Sequence, residues 1–247
     1  MSIDFAVMRA VDAGSSAAAH ERLRHAIVRL ELAPGAPVSE AQLVARFGYS
    51  KAAVRAALAR LRAAGLVLAE PRRGHVIAPL TLRDVREIYD LRLLLEPPAA
   101  AAAAGRIKPA RLERLRVLSE PAIDLEDPAS VERFMSANRA VHVTVAAAAG
   151  NGRAAAIVAR LLDDSERARL VALRGGAAGR GLRARAEHRA LLDALEAGDG
   201  AEAQRLMAAA IRTFSHELLE ALATAMLEAP LPVGAEGGGE PQAERRA

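Results

Sequence analysis

Apolar residues recur at helical spacing along most of this chain. Leu23, Ile27 and Leu30 open the series, and Pro34-Gly35 predicts the end of the first helix. Ser39 with Gln42 three residues on has capping-box spacing, which predicts a short helix to about Arg46. Gly48, between Phe47 and Tyr49, is free to take a positive φ in a tight connection. Ser50 then predicts the N-cap of a helix with Val54, Leu58 and Leu61 on one face, and Gly65 falls at its C-terminal end. Here the period changes. Leu66-Val67-Leu68 and His75-Val76-Ile77 are short β-prone runs around Pro71-Arg72-Arg73-Gly74, the layout of a small hairpin. From Thr81, a candidate cap, the helical period returns and holds to about Leu227. Breaks are predicted near Pro97-Pro98, Lys108-Pro109, Asp127-Pro128, Gly150-Asn151-Gly152, Gly175–Gly181 and Gly198–Gly200, giving roughly six or seven helices. Residues 1–16 lack a period and are expected to form a flexible leader, and 229–247, rich in Pro, Gly and Glu, a disordered tail. The fold class expected is mainly α: a mixed unit at 17–79 followed by an all-helical bundle at 80–228.

Composition adds exclusions. With 52% apolar and 26% charged residues, the chain has the make-up of a folded soluble protein. Zero cysteines excludes disulfides, thiolate nucleophiles and sulfur-ligated zinc. Four Phe, two Tyr and no Trp argue against a stacking platform for single-stranded nucleic acid. No apolar run approaches the ~18–20 residues that span a bilayer, and the N-terminus has no signal-peptide layout, so a cytoplasmic protein without membrane contact is expected. Charge is unevenly placed. Residues 17–80 hold ten basic against four acidic side chains, whereas residues 81–228 hold twenty-one of each. A basic excess confined to one unit fits a nucleic-acid-binding module attached to a neutral partner domain, although a solvated basic face would carry the same charge.

Helix, short helix, glycine turn, helix and basic hairpin, within about sixty residues, describe a winged helix-turn-helix. The helix capped by Ser50 is then the recognition helix. Its first turns present Lys51, Ala52 and Arg55, where a basic side chain donates well to guanine O6 and N7 and a methyl meets thymine. Arg73, Gly74 and His75 at the wing tip are placed for phosphate or the minor groove of double-stranded DNA.

These residues carry a family resemblance. Leu32-Ala-Pro-Gly, Val38-Ser-Glu, Leu43-Val-Ala-Arg-Phe-Gly-Tyr-Ser-Lys-Ala-Ala-Val-Arg, Leu58-Ala-Arg-Leu and Pro71-Arg-Arg-Gly resemble the GntR-type transcription regulators. The helical remainder resembles the FCD effector-binding domain of their FadR-like subgroup, through Asp90-Leu-Arg-Leu-Leu-Leu-Glu-Pro, Asn138-Arg-Ala-Val-His, Ala149-Gly-Asn, Glu187-His and Gly198-Asp. The resemblance implies a homodimer, a two-fold-related operator, and a small-molecule effector, typically an organic acid, whose binding changes operator affinity. Departures are clear. Ala41 stands where these regulators often carry Arg, and the recognition helix opens Ser50-Lys-Ala-Ala-Val-Arg in place of Ser-Arg-Thr-Pro-Val-Arg.

Many relatives hold a divalent metal, zinc or similar, with an Asp or Asn, a His four residues on, and two more His from separate helices. By that resemblance Asn138, His142 and His188 correspond to three ligands, and Ala210 stands at the fourth. His216 does not replace it, lying about 9 Å further along the helix and roughly 120° around. Two imidazoles and a neutral amide imply weak metal binding. The same residues serve equally as an effector pocket, with Arg92 placed to grip a carboxylate bidentately, and protonation of the imidazoles near ~6.5 would favour an anion. The alternatives are hydrogen-bonded interior histidines and an Arg92–Glu96 ion pair at i+4.

No phosphate-binding glycine loop, nucleophile elbow or paired Glu-x-x-His is present in the sequence, so an enzyme is not expected. The competing readings are a helical half that only dimerises and a weak metal-assisted hydrolase.

Overall fold

The computed structural model describes residues 5–70, 74–174 and 178–228. Helix α1 (Phe5–Val28) puts Ala19, Leu23, Ala26 and Ile27 on one buried face. It packs on α3 (Lys51–Ala63), and α2 (Glu40–Phe47) closes the triangle. The capping box of α2 is complete: Ser39 Oγ accepts from Gln42 N–H, and Gln42 Oε1 accepts from Ser39 N–H. Gly48 takes φ +74° and ends α2, a conformation that a side chain would strain. Leu43, Val54, Leu58, Leu61, Val67 and Ile77 share one core.

Strands β1 (Pro37–Val38), β2 (Val67–Glu70) and β3 (Gly74–Ile77) form an antiparallel sheet in the order β1-β3-β2, with Val38 opposite His75 and Val67 opposite Ile77. The hairpin is the predicted wing. Strand β1 was not predicted, because two residues are too few to establish a period of two.

Seven helices follow among the described residues: α4 (Leu82–Ala103), α5 (Pro109–Ser119), α6 (Pro128–Ala148), α7 (Gly152–Asp164), α8 (Glu166–Arg174), α9 (Ala178–Ala197) and α10 (Gly200–Glu228). Helices α4 and α10 form the axis of this bundle, with Tyr89, Ala100, Ala103, Leu192, Met207 and Leu218 in its core. The two units meet where Val28 at the end of α1 packs with Met135, Leu170 and Leu173. Arg167 donates to the Ala78 carbonyl at 2.9 Å, and Arg29 pairs with Glu132.

Four expectations are corrected. Helix α1 starts at Phe5, inside the expected leader, because residues such as Ala6, Met8 and Ala10 favour helix without an amphipathic period. It ends at Val28 rather than at Pro34-Gly35, and Leu30 turns the chain at φ +62°. Pro97-Pro98 does not break α4: Ala99, Ala100 and Ala103 are buried beyond it, and packing against α10 carries the helix through. Helix α9 includes Gly179 and Gly181, so neither breaks it, and residues 175–177 of that predicted break lie outside the described residues. The expected tail at 229–247 also lies outside them.

Candidate DNA-binding and effector sites

At the recognition helix, Ser50 Oγ accepts from the Ala53 N–H at 3.2 Å, so its hydroxyl is engaged as a cap. Lys51, Ala52 and Arg55 are exposed. Arg55 lies across α2, giving two parallel hydrogen bonds of 2.9 Å to the Glu40 carboxylate, from Nε and Nη2. That pair holds the Glu40 carboxyl below its usual range, with Lys51 and His75 adding to the effect. Glu40, which sequence reading missed, thus ties α2 to the candidate base-reading side chain. Gly74 opens β3 at φ +84° and is exposed, with half-buried His75 beside it. Arg73 lies outside the described residues.

In the bundle, Tyr89 and Arg92 from α4, Asn138 and His142 from α6, Arg169 from α8, His188 from α9 and Ala210 and Phe214 from α10 line one cavity of about 40 Å³. All four predicted effector residues converge there, and so does the position of the missing imidazole. Arg92 is 3% exposed and donates from Nε to Glu96 at 2.5 Å, the i+4 pair weighed as its alternative. Glu96 also bonds His142 Nδ1. Burial alone raises a carboxyl, but His142 and Arg92 bring Glu96 down to about 2. Burial likewise lowers His142, with Glu96 opposing. His188, edge-on to His142 with ring centroids 5.9 Å apart, is driven down to about 3 by burial and the charges of His142 and Arg169. The expected protonation of His188 near 6.5 is therefore corrected: desolvation keeps this imidazole neutral well below that pH.

Arg169 is the residue that sequence reading missed. It is 3% exposed, and with the Asn138 carboxamide in the orientation that satisfies both groups, Nη1 and Nη2 donate to Oδ1 at 2.9 and 3.0 Å. The guanidinium also lies 5.6 Å from the Phe214 ring centroid. These residues do not fit a divalent metal. A cation on Asn138 Oδ1 would face a guanidinium bonded to the same oxygen, and Ala210 offers no donor, which would leave only the imidazoles of His142 and His188 to hold it. Among the described residues no group of three His, Cys, Asp or Glu side chains is arranged to hold a metal.

Arg169 also lines a second cavity, of about 480 Å³, between the two units, together with Arg24, Val28 and Ala64 from the N-terminal unit and Arg139 and Asp163 from the bundle. No described helix is long and apolar enough to cross a membrane.

Comparison with known proteins agrees with this architecture. Residues 15–77 match the model of the bacterial regulatory proteins of the gntR family, and residues 87–213 match the FCD domain. An HTH-type transcriptional regulator in an unstable DNA locus of Streptomyces ambofaciens is 30% identical over 180 residues, covering 72% of this chain and 74% of its own. An HTH-type regulator from the ttuE-ttuC' intergenic region of Agrobacterium vitis is 33% identical over 108 residues, 44% of this chain and 63% of that relative's length. The solved structure of E. coli McbR/YncC superimposes with a TM-score of 0.68 at 20% identity, over 83% of this chain and 97% of the other, which shows the shared fold. With the helix-turn-helix and wing at one end and the cavity-bearing bundle at the other, the chain is a DNA-binding transcriptional regulator of the bacterial GntR family carrying a C-terminal FCD domain.

Proposed function

We propose that this regulator binds a two-fold-related operator as a homodimer, and that a small carboxylate-bearing effector in the bundle cavity changes its operator affinity. Lys51, Ala52 and Arg55 read base edges, and Gly74, His75 and Arg73 of the wing approach the backbone or minor groove. Asn138, His142, His188 and Arg92 line the effector cavity with Arg169. One observation carries the modulation: helix α8 belongs to both units. Its Arg169 enters the cavity, its Arg167 bonds the Ala78 carbonyl just after the wing, and its Leu170 and Leu173 pack on Val28 of α1. A ligand that moves α8 would act on the seat of the DNA-binding unit through these contacts, which is the route by which the two equilibria would be linked.

The test is operator binding by the full chain, on a site selected from random duplexes, with and without small organic acids that raise its melting temperature. An acid that stabilises the protein and changes operator affinity by fivefold or more, about 1 kcal/mol of coupling, is the expected result. Stabilising acids that uniformly leave operator affinity unchanged would support the reading in which the bundle only dimerises.

A further inference from the structure

Two donors in the bundle cavity lack the partners that burial demands. Arg169, 3% exposed, donates to a neutral carboxamide and makes no ion pair with any described carboxylate: Glu96 is shared by Arg92 and His142, and Glu187, which lines the cavity, does not pair with it. Only two of the five guanidinium N–H groups are used on Asn138. Tyr89 is 1% exposed, and its hydroxyl makes no hydrogen bond of normal geometry with a described residue, although the Arg92 guanidinium lies near it, 4.8 Å from the ring centroid. Buried charges are paired and buried hydroxyls hydrogen-bonded in folded proteins. Both groups line the same cavity, whose volume of about 40 Å³ admits roughly three water-sized groups, the size of a carboxylate with little attached.

We propose that Arg169 takes the place of a metal ion in this cavity, and that Arg169 and Tyr89 together bind the carboxylate of a small organic acid without any metal. The inference rests on the reading of the cavity as the effector site and narrows it to the chemistry of the grip. The guanidinium supplies the positive charge and a planar fork that matches two carboxylate oxygens, and the Tyr89 hydroxyl gives a third donor. His188 then shapes the cavity as a neutral ring, and His142 stays bonded to Glu96.

The probe is acetate, titrated into the full chain after dialysis against EDTA and followed by ligand-observed NMR of the ¹³C-labelled acid. Acetate is expected to bind the metal-stripped protein, with an affinity unchanged by added Zn²⁺. Arg169→Gln is expected to weaken it about tenfold or more, and Tyr89→Phe, which keeps the ring against Phe214, severalfold. Circular dichroism checks that the Arg169 variant is folded; should it not be, Tyr89→Phe and the zinc comparison decide alone. Binding that appears only with Zn²⁺, binding indifferent to both substitutions, or no acetate binding at all overturns the proposal. Operator affinity in the same samples keeps the two readings apart: acetate that binds as described yet leaves operator affinity unchanged preserves the site and removes the modulation.

Discussion

Arg55 and Glu40 show how one ion pair bears on recognition. The bidentate geometry fixes the guanidinium at the start of the recognition helix and leaves Nη1 free of Glu40. Arg55→Ala is expected to lower operator affinity about tenfold to a hundredfold, in line with loss of one good base contact. Glu40→Gln acts oppositely on the background: it removes a negative charge from the DNA-facing surface and releases Arg55, so affinity for scrambled duplex rises and the operator-to-scrambled ratio falls. Fluorescence anisotropy on both duplexes measures this, and an unchanged ratio would place Arg55 away from the bases. Position along the chain revealed Lys51, Ala52 and Arg55, because an N-cap serine sets the helix phase. It did not reveal Arg169, since Glu166-Arg167-Ala168-Arg169 reads like any solvated helical turn, and only the packing of α8 on α6 and α10 turns the second arginine inward.

Among the elements, those bounded by caps were legible: Ser39, Ser50 and Thr81 each accept the expected backbone N–H. The illegible features were decided by distant packing. Proline at 97 and 98 costs a helix about 3 kcal/mol per residue in isolation, yet α4 runs on because its alanine end is buried against α10. How tightly these helices approach is seen at Gly200, the first residue of α10, where a Cβ would stand 2.9 Å from the Ala101 carbonyl oxygen. Gly200→Ala must therefore push two backbones apart and is expected to cost about 1–3 kcal/mol, lowering the melting temperature by several degrees. Gly152→Ala is the control: it too opens a helix, α7, but its Cβ would meet open space. That change is expected to be neutral or to stabilise by up to about 1 kcal/mol through the unfolded chain. Equal effects of the two substitutions would mean that the α4–α10 approach does not govern Gly200.

For the whole molecule, the surface of the bundle bears on assembly. One recognition helix makes few base contacts, and the selectivity expected of an operator-binding regulator needs two half-sites read together, about one helical turn apart. Large apolar side chains are exposed on the bundle. Leu91 and Leu94 of α4 are exposed, Leu94 to 69%, and Ile157 is exposed on α7, which packs beside α4. Side chains of this size, gathered on two neighbouring helices of a bundle whose charges balance, are what a two-fold interface would cover. Leu94→Glu is the sharpest probe. Because the side chain already faces water, the substitution leaves the bundle core intact, and the helical content seen by circular dichroism is expected to change little. Placed against its own copy across a two-fold axis, however, the new carboxylate would meet an apolar surface and its symmetry mate. Sedimentation is then expected to show a dimer for the unaltered protein and a monomer for the variant at micromolar concentration. Operator affinity should fall with it, since each half-site is then bound alone, while the contribution of Arg55 to a single half-site persists. A variant that remains dimeric, or a monomer that binds the operator undiminished, would move the interface away from α4 and α7.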